Sequence, residues 1–153
     1  MSRMLAFCAV IFLAIGPALM TAQEATYDEN ALRVDRQGGT ISIVRGTSET
    51  VVLKVGAFRA ANVAGIVSPS PNAVTQAKMF EHDYRAGTWI LSLGIATLGA
   101  AIGSNQIADL NRMVPTGLTI ASVSFITYGG WRLGNALTAL SRSIWWYNRD
   151  LKR

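Results

Sequence analysis

Charge is scarce in this chain of 153 residues. Only 15% of the side chains are Asp, Glu, Lys or Arg, against ~25% in ordinary soluble domains. Residence in hydrocarbon demands such a deficit, because a charge at the bilayer centre costs about 2.5–3.5 kcal/mol even on the most lenient scale. Cysteine is nearly missing. The one thiol, Cys8, lies in the first apolar segment, so a mature chain without that segment forms no disulfide and has no thiolate ligand or nucleophile. Histidine occurs once, as His82, which leaves no zinc set of the usual kind. No GxxxxGK[ST] phosphate loop and no G-x-S-x-G elbow occur. No catalytic residues, metal or cofactor are expected.

What the chain does have is long uncharged runs. Residues 86–108 and 113–131 lack any charge, and only Asp109, Leu110, Asn111 and Arg112 separate them. Crossing about 30 Å of hydrocarbon takes roughly 20 apolar residues as a helix, and each run meets that length. The expected fold is a membrane α-helical hairpin, preceded by a small β-hairpin or meander and followed by an amphipathic helix. The expected divisions are a signal peptide (1–22), a β-rich segment (23–67), a linker and pre-membrane helix (68–86), the transmembrane hairpin (87–131) and a basic tail (132–153).

Arg3, the apolar residues 4–15 and the Gly16-Pro17 break read as a secretory signal, with small-residue exits at Ala18, where Gly16 completes a small-x-small pattern, and at Ala22, where Met20 fits it less well. The other readings are an uncleaved anchor and, at Cys8, a lipoprotein site. Residues 40–44 and 50–55 look like strands paired about the Arg45-Gly46-Thr47-Ser48 turn. Residues 32–35 add a third strand beyond Gln37-Gly38-Gly39, and 63–67 a fourth. So small a sheet is marginal in water. Either it pairs with a second protein through its edges, or its strands cover one another. Ser70-Pro71 then suits the cap and first position of a helix running to Arg85.

In the first span Gly94, Gly99 and Gly103 let backbones approach closely. They serve either self-association or packing on the second span. The second run carries Thr116, Thr119, Ser122, Ser124 and Thr127, which bond back to their own helix or face the first span. Gly129-Gly130 reads as a bend. Beyond it Leu133, Leu137, Leu140, Ile144 and Tyr147 make one apolar face. Trp131, Arg132, Arg142, Trp145, Trp146, Tyr147 and Arg149 form a basic, aromatic set suited to a membrane interface. The alternative is a helix packed on the protein's own soluble part. The tail supplies most of the formal +5 charge, which favours anionic lipid over nucleic acid. Topology carries a conflict. An exported β segment followed by two spans returns the basic tail to the outer side, whereas basic flanks usually stay in the cytosol. Either residues 113–131 do not span, or the membrane is one where that preference does not operate.

Glu81-His82-Asp83-Tyr84 is the one cluster with a catalytic or metal-binding look, but consecutive helical residues diverge. Asp109 and Arg112 read as a local ion pair or as a pair facing a pore. From Pro71 onward the layout resembles a loose class of exported bacterial membrane proteins. Its members have a short β-rich segment, a glycine-rich two-helix hairpin and an ending like Ser143-Ile144-Trp145-Trp146-Tyr147-Asn148. The resemblance implies no activity. Two functions follow: a non-enzymatic accessory or assembly protein of a bacterial cell envelope, its β segment docking an envelope protein, or a homo-oligomer that permeabilises or shapes the membrane. An enzyme, with His82 as its one candidate, is the third and least supported.

Overall fold

The computed structural model of the protein describes residues 27–37, 40–56, 58, 62–106 and 112–152. The expected signal segment with Cys8, the Gly38-Gly39 turn and Asp109 lie outside them. After a helical turn at residues 27–30 come three short strands: β1 (Leu32–Gln37), β2 (Thr40–Arg45) and β3 (Thr50–Val55), paired antiparallel in the order β1-β2-β3. Alternation explains the pleat. Leu32, Val34, Ile41, Ile43, Leu53 and Val55 turn to the protein core. Arg33, Asp35, Ser42, Val44, Val51 and Lys54 line an open hollow on the other face. Pairing passes from Ile43↔Leu53 to Val44↔Val51, so Val52 forms a bulge. Gly46 turns the β2–β3 connection at φ +69°; a Cβ there would come within 2.6 Å of the Glu29 carbonyl oxygen.

The expected fourth strand is instead a helical turn, α1 (Val63–Ile66). Asn62 Oδ1 accepts from Gly65 N at 2.8 Å, and Glu81 Oε1 accepts from Ala64 N at 2.9 Å. Those two side chains satisfy amides that a strand would have had to pair with β3. Val63 and Val67, four apart, then bury one face.

Two long helices complete the chain. Helix α2 (Pro71–Ser104) starts as expected, with Ser70 as its cap accepting from Ala73 N and Pro71 in the first turn. It runs for 34 residues without a break, so the expected pre-membrane helix and first span are one element. Helix α3 (Met113–Leu151) is likewise continuous for 39 residues. The bend expected at Gly129-Gly130 is absent, because Gly129 is helical and serves close packing. The expected separate tail is therefore the second half of α3.

The two helices run antiparallel, and their contact has a period of seven. Ala73, Phe80, Gly87, Gly94 and Ala101 are buried along α2. Pro115, Ser122, Gly129, Ala136 and Ser143 are buried along α3. A strict seven-residue repeat winds two helices into a left-handed pair. Near the sheet the buried stripe widens to take in Ala77 on α2 and Ala139, Leu140, Ile144 and Tyr147 on α3, which close one core with Leu32, Ile43, Val55, Val63 and Val67. Polar ties lock this end. The Asn148 side chain accepts from Leu32 N and donates to Leu32 O, both at 2.8 Å. Ser70 Oγ donates to Asp150 Oδ2, and Ser143 Oγ to the Ala73 carbonyl at 2.9 Å.

Candidate membrane-facing surface

Beyond Asp83 and Arg132 the hairpin changes character. Residues 86–104 of α2 and 113–131 of α3 contain no charged side chain, and the antiparallel pairing sets them side by side. Each stretch is 19 residues, or about 28 Å at 1.5 Å per residue. Here the buried seam narrows to essentially one position per seven residues. Gly87, Gly94 and Gly129 make it close. A Cβ on Gly129 would lie 2.8 Å from Leu91 N, one on Gly94 2.9 Å from Ile126 Cγ1, and one on Gly87 3.0 Å from Leu133 Cγ.

Beside that seam Leu91, Leu98, Leu118 and Ile126 are half-buried, and much of the remaining surface faces outward. Trp89 is 62% exposed, Ile95 60%, Ile120 64% and Trp131 59%, with Leu93, Ile102, Val114, Val123 and Tyr128 also exposed. Soluble monomers rarely leave so continuous an apolar surface uncovered. Helix α2 is long and apolar enough to cross a membrane, and only 17% of its most apolar stretch is buried within the chain, whereas the core helix of a soluble protein would be mostly buried. Helix α3 is less apolar, but four of its hydroxyls bond back to their own helix. Thr116, Thr119, Ser122 and Ser124 donate to the carbonyls of Arg112, Pro115, Thr119 and Ile120.

The border toward the sheet is marked by charge. Arg132 Nη1 donates to Asp83 Oδ1 across the two helices, and Arg132 Nε to the Tyr128 hydroxyl at 3.3 Å. The Tyr128 hydrogen bond first, then that with Asp83, holds the guanidinium above its ordinary range. Arg132 therefore stays charged. Tyr128 stacks on Trp131 with ring centroids 5.7 Å apart.

The residues singled out in the sequence scatter over this architecture. Gly94 packs on α3, whereas Gly99 and Gly103 have open space where a Cβ would stand. Trp131 and Arg132 sit at the charge border. Arg142 and Trp145 are exposed, but Trp145 lies 14 residues beyond Trp131, roughly 21 Å along the helix. Trp146 packs against the core and Tyr147 lies within it. Arg149 stacks on Trp146, 3.7 Å from its ring centroid, and pairs with Asp150. The acidic cluster disperses: Glu81 points to α1, Asp83 to Arg132, Tyr84 packs on Phe80, and His82 lies outside with Nδ1 3.2 Å from Asp83. Among the described residues no three His, Cys, Asp or Glu side chains could hold a metal ion together. Sequence reading missed Gly87 and Gly129; their signal was the seven-residue recurrence of small residues, which the four-residue Gly99–Gly103 spacing obscured. No family model matches the chain, and neither does any curated protein or solved structure compared with it.

Proposed function

We propose that the protein is a non-enzymatic, membrane-anchored accessory or assembly protein of a bacterial cell envelope. The hairpin's uncharged half inserts and the sheet end stands in water to dock another protein. One observation carries this reading: on both helices the uncharged halves lie at one level, bury only a narrow seam of small residues and expose apolar side chains elsewhere. The length of that layer fits a bilayer, and satisfied hydroxyls suit a solvent that offers no hydrogen bonds. For docking, β3 is an edge strand with no further strand paired to it among the described residues, a surface to which an extended segment can add.

The shared core bears on the topology conflict. The second half of α3 packs with the sheet, so both occupy one side of any membrane, and leaving residues 113–131 outside the bilayer cannot separate them.

The test is site-directed labelling with a membrane-impermeant thiol reagent in a Cys8→Ser background, at Thr47→Cys, Asn111→Cys and Lys152→Cys. Thr47 and Lys152 should label from one side and Asn111 from the other. Labelling of all three from one side overturns the inserted hairpin. A second reading, a homo-oligomer packed through α2, draws on Ala96, Gly99, Ala100 and Gly103, all exposed. Gly99→Leu with Gly103→Leu should then dissolve the oligomer on detergent gels; an unchanged monomer band in both versions removes it.

A further inference from the structure

Helix α2 presents a second feature at the charge border, on a face apart from Arg132. Lys78, His82, Arg85 and Trp89 follow one another at steps of four, three and four, which places them along one side of a helix. With Glu81 and Ala86 they line an open hollow of about 470 Å3. Ala86 begins the uncharged run, so the hollow straddles the change from charged to apolar surface. Trp89 forms its apolar rim and is braced by Phe58, the ring centroids 5.6 Å apart. The charges in it are unbalanced. Glu81, the one carboxylate in the lining, accepts from Ala64 N, and the neighbouring Asp83 is engaged by Arg132. Among the described residues neither Lys78 nor Arg85 has an ion-pair partner.

We propose that this hollow holds the headgroup of an anionic phospholipid. Arg85 and Lys78 meet the phosphate, the arginine through its paired N–H donors and the lysine as a point charge. His82 contributes a ring N–H. Trp89 lies against the glycerol and first acyl carbons, the depth that tryptophan favours. The inference depends on the inserted hairpin proposed above. It adds that the bilayer's anionic lipids are bound at a defined place on the chain.

The full-length chain is reconstituted in nanodiscs of phosphatidylcholine with a minor fraction of phosphatidylglycerol, and the lipid retained on extraction is measured by native mass spectrometry. Wild type should retain phosphatidylglycerol in excess of its mole fraction. Each cation near a membrane surface changes affinity about five-fold, so Lys78→Gln with Arg85→Gln should lower that enrichment by about twenty-five-fold. Arg33→Gln with Arg36→Gln removes the same charge from the exposed sheet and should leave the enrichment unchanged. Equal losses in both pairs, or no enrichment in wild type, overturn the site while leaving insertion intact. So does displacement of the lipid by inorganic phosphate, which would mark a site for the free anion. Failure to enter neutral phosphatidylcholine nanodiscs overturns the hairpin reading, and this site with it. Circular dichroism of each variant separates loss of binding from loss of fold.

Discussion

Single side chains hold the sheet to the helices. Asn148 mimics a strand neighbour for Leu32, giving and taking one hydrogen bond with its backbone. Asn148→Ala leaves a buried amide and carbonyl unpaired, at a cost of about 2–3 kcal/mol. The expected result is a lower chemical-denaturation midpoint with helix content retained in the native baseline. Tyr84 gives a pH prediction. Burial pushes its phenol up, which means the neutral form is the one the fold favours. The resulting stability is present below the phenol's ordinary value of about 10 and is lost as pH rises through the folded value. Tyr84→Phe should flatten the alkaline limb of a stability–pH curve; an unchanged limb would assign that loss to other groups.

At the scale of elements, the helix pair makes an unequal forecast for its glycines. Gly94 and Gly129 lie within 3 Å of where backbone or side-chain atoms of the opposite helix would meet a Cβ. Gly94→Leu or Gly129→Leu should therefore force the helices apart, at about 1–3 kcal/mol or more for such overpacking, seen as loss of protease resistance in detergent. Gly99→Leu should leave the chain's own fold unaltered. The helix starts were legible beforehand: Ser70-Pro71 announced α2, and alternation announced three strands. The break expected at Gly129-Gly130 was not, because a glycine pair looks alike whether it turns the backbone or admits a neighbouring one. Residues 63–67 failed for a related reason: a short apolar run has no period of its own, and Asn62 and Glu81 decide it from outside. The sequence placed Tyr147 on one apolar face with Leu140 and Ile144 but left open whether that face meets a membrane or the protein's own soluble part; the position of the sheet decides for the core.

As a whole molecule, the inserted protein proposed above would divide by solvent and not by domain. One pair of helices supplies both the floor of a water-type core and, further along, the uncharged layer. Phe80, fully buried among Leu32, Ile43, Val63 and Leu140, is central to the first. Phe80→Ala should cost about 3–5 kcal/mol and unfold the sheet end, measured by loss of near-ultraviolet circular dichroism. If the two halves are independent in stability, the uncharged half will keep its helical signal in that variant; simultaneous loss of both would show that the seam transmits the damage.

The charge border carries one more consequence. In the insertion proposed above, Asp83, Arg85 and Arg132 would fix how deep the hairpin can sink, and Arg112 would stop it at the far end, leaving about 28 Å of uncharged rod. That is slightly short of an average hydrocarbon slab, and a tilt shortens its reach further. A hairpin inserted to that fixed height would have to thin a thick bilayer around itself or collect where the bilayer is already thin. Acyl-chain length alone could then decide in which membrane, and in which patch of it, the chain accumulates.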